Sequence, residues 1–400
     1  MRHADVRAPT APRGLILAVL AIMVVASTTT GTHASFDRAT PAGICSAIDD
    51  LQFDGARANA SVAWQVDLGP RIPGSNASAE LRSTITADLE SLGYDVSNQT
   101  HERFGMELTN LFARWPSNST GNGQLVLSAH YDSRNVADQD ENESNQSLPV
   151  PGANDAASGV AVLLELARHI PAMDLDYDVL LFFNDAEDQQ PKYTLGAEAW
   201  AENLTEDEIN ATHAFVLLDM VGDADLQLHD VAPGNATLKS RVVELGTSLG
   251  LVNGTTACNE QAGEDIIQYD TTVHVLDDHV HAHNLGIPAI DLMDTSFGEA
   301  KPYTFGSYWH TMEDTPDKVS ADSLGKVGRL VELGLRTNAF VGIDAHQEVQ
   351  EHDSPSPDGD VEGVETEDHP RRNTGLTVMA MAGLVSIVGL LVVVELKGKR

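Results

Sequence analysis

Leu125-Val126-Leu127-Ser128-Ala129-His130-Tyr131-Asp132 decides how this chain is read. Its first five residues are small or apolar and carry no charge, which suits a strand covered on both faces in a parallel sheet. Similar runs recur at 179–183, 214–218 and 287–292. Before, between and after them lie stretches with helical periodicity at 78–93, 155–169, 236–250 and 321–340, the first closing at Gly93. Strand and helix alternate, so the expected fold is α/β: a three-layer sandwich with a central, mostly parallel mixed sheet and helices on both faces. The globular part spans about residues 42–343, and no internal repeat is visible within it.

Polar residues gather just past these apolar runs. His130 and Asp132 follow the first, Glu187 and Asp188 follow the second, and Asp219 ends the third. Asn154-Asp155 opens a helix whose free N–H groups are suited to holding a carboxylate, and Trp309-His310-Thr311 falls in a loop after the last strand. In open α/β sheets, sites collect beyond the C-terminal ends of strands. Each motif alone has an ordinary explanation. His-x-Asp is often a hydrogen-bonded pair, Asn-Asp a helix cap, and two adjacent acids a solvated surface. Asp219 is more pointed, because a lone carboxylate is costly to bury in an apolar run. The set as a whole supplies the imidazole and carboxylate ligands of a zinc site. Adjacent acids then divide the work: Asp188 binds the metal, and Glu187 stays free to move a proton.

The motif order resembles metallopeptidase family twenty-eight, which holds zinc aminopeptidases and glutaminyl cyclases. The likeness covers about residues 60–340. It rests on Leu68–Ser75, His130–Ser133, Gly152–Gly159, Asp185–Asp188, Leu218–Asp223, Asp277–His279 and Trp309–Thr311. The resemblance implies that Asp155 bridges two metal positions. Asp188 and His310 would complete one, and His130 and Asp219 the second. It makes Glu187 the general base and Asp132 a partner that orients a ligand. Glu187-Asp188 stands where many members have Glu-Glu, and Asn184-Asp185-Ala186 stands where Phe-Asp-Gly is usual.

The implied activity is hydrolysis of the N-terminal peptide bond by a zinc exopeptidase, with peptide or protein N-termini as substrates and one or two zinc ions as cofactor. Two alternatives stand beside it. Asp277-Asp278-His279 and Trp309 resemble the glutaminyl cyclase side, where Asp278 would handle protons and Trp309 would wall a small pocket. A catalytically inactive receptor or scaffold ectodomain is the third reading. His279, His281 and His283 alternate as on one strand face, so a separate metal set is an open option beside a solvent-facing role.

Composition sets the surroundings. The net charge of −36 comes from 60 acids against 24 bases, only seven of them Lys. That surface repels phosphate backbones and excludes nucleic acid as a partner. It suits an extracellular protein or a high-salt habitat. Residues 1–34 read as a signal peptide, with an apolar run at 14–26 after Arg2, Arg7 and Arg13, and Thr32-His33-Ala34 at the cleavage point; an uncleaved anchor is the alternative. The catalytic domain is 35–343. An acidic linker follows at 344–373, with ten acids, three prolines and no Lys or Arg within 344–370. The uncharged run 374–394 is long enough to span a bilayer, and 395–400 form a basic cytoplasmic tail. The expected placement is a cell-surface ectodomain anchored at its C-terminus. Ten Asn-x-Ser/Thr sequons agree with it. Cys45 and Cys258 either pair or stay as buried thiols.

Overall fold

The structure, a computed structural model, describes residues 36–119 and 121–343. The expected signal peptide, linker, membrane span and tail lie outside that range. No helix among the described residues is long and apolar enough to cross a membrane.

Six strands form the main sheet: β1 (Asp95–Arg103), β2 (Met106–Trp115), β3 (Gln124–His130), β4 (Asp178–Asn184), β5 (Thr212–Asp219) and, late in the chain, Ala289–Met293. Leu228–Ala232 (β6) and Ile267–His274 (β7) make a separate parallel pair, so the late strand is β8. The order in the main sheet is β1-β2-β4-β3-β5-β8. β4, β3, β5 and β8 run parallel, and β1 and β2 are antiparallel at one edge. This is the mixed, mostly parallel sheet that the apolar runs predicted.

Alternation along the strands feeds two cores. On β3, Leu125, Leu127 and Ala129 join Val216 and Leu218 of β5 on one face. That face is covered by α2 (Gly55–Asp67), α3 (Asn76–Leu92), α4 (Ala157–Ala167) and the helices at Ala236–Leu249 and Ala321–Arg336. Val126, Phe182, Phe215 and Leu217 point the other way, against Trp200 of α5 (Leu195–Asn203) and Ala282 of the helix His279–Asn284. Burying such side chains stabilises by about 1.5–3 kcal/mol each, which is what holds the three layers together.

Several boundaries move for local reasons. The last expected strand begins at Ala289 because Pro288 has no N–H for the ladder. Gly93 and Gly250 end their helices in the left-handed conformation that glycine adopts without strain. The alternating His279, His281 and His283 lie on a helix, not a strand. On a helix, residues two apart diverge, so the three do not form one ligand set. His281 is half-buried and meets Thr194 Oγ1 at 2.9 Å. Cys45 and Cys258 are joined in a disulfide with Cα atoms 5.5 Å apart. Among the sequons, Asn235 is buried and caps a helix by accepting from Leu238 N, so its side chain is already engaged.

Candidate active site

The parallel strands deliver the site residues to one end of the sheet. His130 is the last residue of β3 and Asp219 the last of β5. Glu187 and Asp188 follow β4 by three and four residues, and Asp155 precedes α4. The backbone is left-handed at Ala186 (φ 58°), Met220 (φ 47°) and His310 (φ 56°). Non-glycine residues rarely adopt that conformation, and here it marks three of the turns that carry the cluster.

Two groups of metal-ligand type share Asp155. His130, Asp155 and Asp219 have donor atoms within 4.8 Å of one another, as do Asp155, Asp188 and His310. In the first group, His130 Nε2 lies 3.1 Å from Asp155 Oδ1 and 3.3 Å from Asp219 Oδ1. In the second, His310 Nε2 lies 3.1 Å from Asp188 Oδ2. That oxygen is buried and has no hydrogen-bonding partner. An orphaned carboxylate oxygen facing an imidazole nitrogen, in a set of oxygen and nitrogen donors, fits zinc.

The partners behind these ligands are specific. Asp132 lies 3.3 Å from His130 Nδ1 and accepts from the backbone N–H groups of Glu187 and Asp188 at 3.0 and 3.1 Å. It therefore joins His130 to the turn bearing the two acids. Ala156 is the N-cap of α4 and has no capping side chain. Instead Asp314 accepts from Asn154 N at 2.7 Å and Asp155 N at 3.2 Å. Arg134 is buried and donates from Nη1 to Asp188 Oδ1 at 2.7 Å. Its Nη2 donates to Asp138 at 2.8 Å, and Asp138 Oδ1 lies 3.2 Å from His310 Nδ1. Sequence reasoning missed Arg134, Asp138 and Asp314. The available signal was weak, a charged residue one to five positions past a recognised motif.

A cavity of about 420 Å³ opens on these ligands, and Glu187 and Asp277 are both on its wall. Asp278, expected to handle protons in a hydrogen-bond network, is not on the cavity wall. Successive side chains leave the backbone in different directions, and Asp278 is buried behind the wall with both carboxylate oxygens unpartnered by protein. Burial pushes Glu187 well above the usual carboxylate range, and the Asp277 charge adds to the effect. Burial likewise raises Asp277, with Asp291 adding. Asp278 is raised to about 7 by burial, against the pull of His130. Trp309 walls the cavity as expected and stacks on His310 with centroids 3.4 Å apart.

A doubly covered, mostly parallel sheet with clustered zinc ligands at its strand ends defines a zinc exopeptidase type of fold. The chain belongs to Peptidase family M28, whose pattern matches residues 110–333. It is 25% identical over 316 residues to a glutaminyl-peptide cyclotransferase of Gloydius blomhoffii, covering 68% of this chain and 80% of that one. The solved Porphyromonas gingivalis glutaminyl cyclase is similar at 30% identity and TM-score 0.59, over 70% of this chain and 96% of that one. A Zn-dependent exopeptidase from Parabacteroides distasonis is similar at 26% identity and TM-score 0.60, over 72% of this chain and 99% of that one. The chain is thus a zinc enzyme of this family, a peptidase or a glutaminyl-peptide cyclotransferase, with peptides as substrates.

Proposed function

We propose that the chain is a glutaminyl-peptide cyclotransferase, closing an N-terminal glutamine into pyroglutamate. The observation that carries this reading is Asp277, a buried carboxylate on the cavity wall beside Glu187 that belongs to neither Asp155 group. Two carboxylates confined together hold a proton that neither would keep alone. Burial, with the Asp277 charge adding to it, raises the proton affinity of Glu187, which suits it to carry a proton.

In this reading Asp155, Asp188 and His310 hold the working zinc. When bound, the metal would polarise the side-chain amide carbonyl of the glutamine. Glu187 takes a proton from the α-amine, whose nitrogen forms a bond to the amide carbon, Cδ. The bond from that carbon to the amide nitrogen breaks. Glu187 returns its proton to the departing nitrogen, which leaves as ammonia. Trp309 excludes water from the wall behind His310, which favours the internal amine over hydrolysis.

A second reading, an aminopeptidase, draws on the complete His130, Asp155 and Asp219 group, where a second ion would sit beside the first. Mass spectrometry on the full-length, zinc-loaded protein separates the two. A peptide beginning with Gln should lose ammonia while one beginning with Leu stays intact. Release of the first residue from the Leu peptide would overturn the cyclase reading.

The placement proposed is the cell surface, with signal peptide 1–34 and anchor 374–394. The Cys45–Cys258 disulfide supports an oxidising compartment. A membrane-impermeant amine reagent should label the protein on intact cells; labelling only after lysis would refute this.

A further inference from the structure

Asp277, His279 and Asp291 form a further group whose donor atoms lie within 4.8 Å of one another. It shares no residue with the two Asp155 groups. Three separate elements build it. Asp277 lies in the turn after β7, His279 opens the helix His279–Asn284, and Asp291 is the middle residue of β8. All three side chains are buried.

The free atoms of this group are all acceptors. His279 Nε2 lies 2.9 Å from Pro233 O, and it must be the donor because a carbonyl can only accept. Burial lowers the proton affinity of this ring to about 3, so it stays neutral and its Nδ1 carries a lone pair. That Nδ1 lies 3.7 Å from Asp291 Oδ2 and has no hydrogen-bonding partner. Neither oxygen of Asp291 has one, nor has Asp277 Oδ2. Asp277 Oδ1 is already engaged, accepting from Asp278 N at 2.6 Å.

Buried acceptors that face one another without a donor are costly. A proton shared between two of them relieves one pair, whereas a cation satisfies the whole group. Metal-binding histidines commonly donate their other ring N–H to a backbone carbonyl, as His279 does to Pro233. One imidazole nitrogen with two carboxylates suits zinc, whereas Mg²⁺ and Ca²⁺ prefer oxygen alone. We propose that Asp277, His279 and Asp291 form a third zinc site, set in the wall of the cavity. Asp277 is on that wall, so the cavity is the ion's entrance, and the bound ion would tie the wall to β8. Asp277 then has two alternating roles, beside Glu187 when the group is metal-free and as a ligand when it is filled. The site is independent of the cyclisation reading, because zinc is counted with no peptide present.

The test titrates the metal-free, full-length protein with zinc in a millimolar excess of Mg²⁺, which occupies surface carboxylates. Bound zinc is counted by native mass spectrometry. At saturation the wild type should hold three ions, two in the Asp155 groups and one here. Asp291→Asn and His279→Gln should each hold one fewer. Two ions or fewer on the wild type would overturn the site, whether or not the variants fold. Three ions on the wild type and on both variants would overturn it too, because the third ion would then lie elsewhere.

Discussion

Two clusters of the same ligand types share Asp155 and differ in what stands behind them. Behind Asp188 and His310, Arg134 and Asp138 close a ring: Arg134 bonds Asp188 and Asp138, and Asp138 faces His310. Behind His130 and Asp219, Asp132 contacts His130, and its other hydrogen bonds go to Glu187, Asp188 and Gln189. The electrostatic outcome differs too. Burial works to raise Asp188, yet His310 and Arg134 outweigh it and hold the carboxyl below its usual range. For Asp219 burial wins, and the carboxyl is raised. Both imidazoles are raised against burial by their carboxylates, His310 to about 9 and His130 well above its ordinary value. Metal binding displaces protons from its ligands. The lesson is that ligand identity alone does not separate the two clusters, whereas the partners behind them do. In the reading proposed above, the Asp188 cluster is the working one.

Ligand removal gives the largest contrast. His310→Ala should cost zinc and about 10³-fold or more in kcat/KM, while His130→Ala should stay within about tenfold. Equal losses, read by metal content and turnover, would break the asymmetry. Glu187→Gln should lower kcat by about 10³-fold with zinc retained, because it removes the proton carrier and leaves the ligands. Full turnover in that variant would remove Glu187 from the mechanism.

Arg134→Met sharpens the comparison more finely. Loss of a partner behind a ligand typically weakens metal binding about 10–100-fold, and a zinc titration should show a loss in that range. The smallest effect belongs to Asp277→Asn. A raised Glu187 is protonated and idle on the acid side, so activity rises as pH climbs through its pKa. Removing the Asp277 charge lowers that pKa, and the acid limb of the pH–rate profile should move to lower pH. A shift the other way, or none, would contradict the pairing.

The sheet interior was legible because its strands are apolar runs, and His130 and Asp219 followed from their places at strand ends, whereas Asp155 and His310 lie outside the strands. The β1–β2 edge was not legible. Asp95–Arg103 reads DVSNQTHER, polar apart from Val96, since an edge strand with little buried surface has no apolar pattern to show. Asp277 and Asp278 were told apart only by the fold, because adjacent acids look alike until one of them reaches the cavity. Arg134 escaped for a related reason. A buried arginine is indistinguishable from a surface one in sequence, and its meaning depends on Asp188, 54 positions away.

The central claim is that one of the two clusters does the work, and counting zinc tests it most directly. The metal-free, full-length protein is titrated with zinc while turnover of a Gln-initiated peptide is followed. One equivalent should restore full activity, and a second should bind more weakly and add nothing. Activity that appears only as the second equivalent binds would contradict the account.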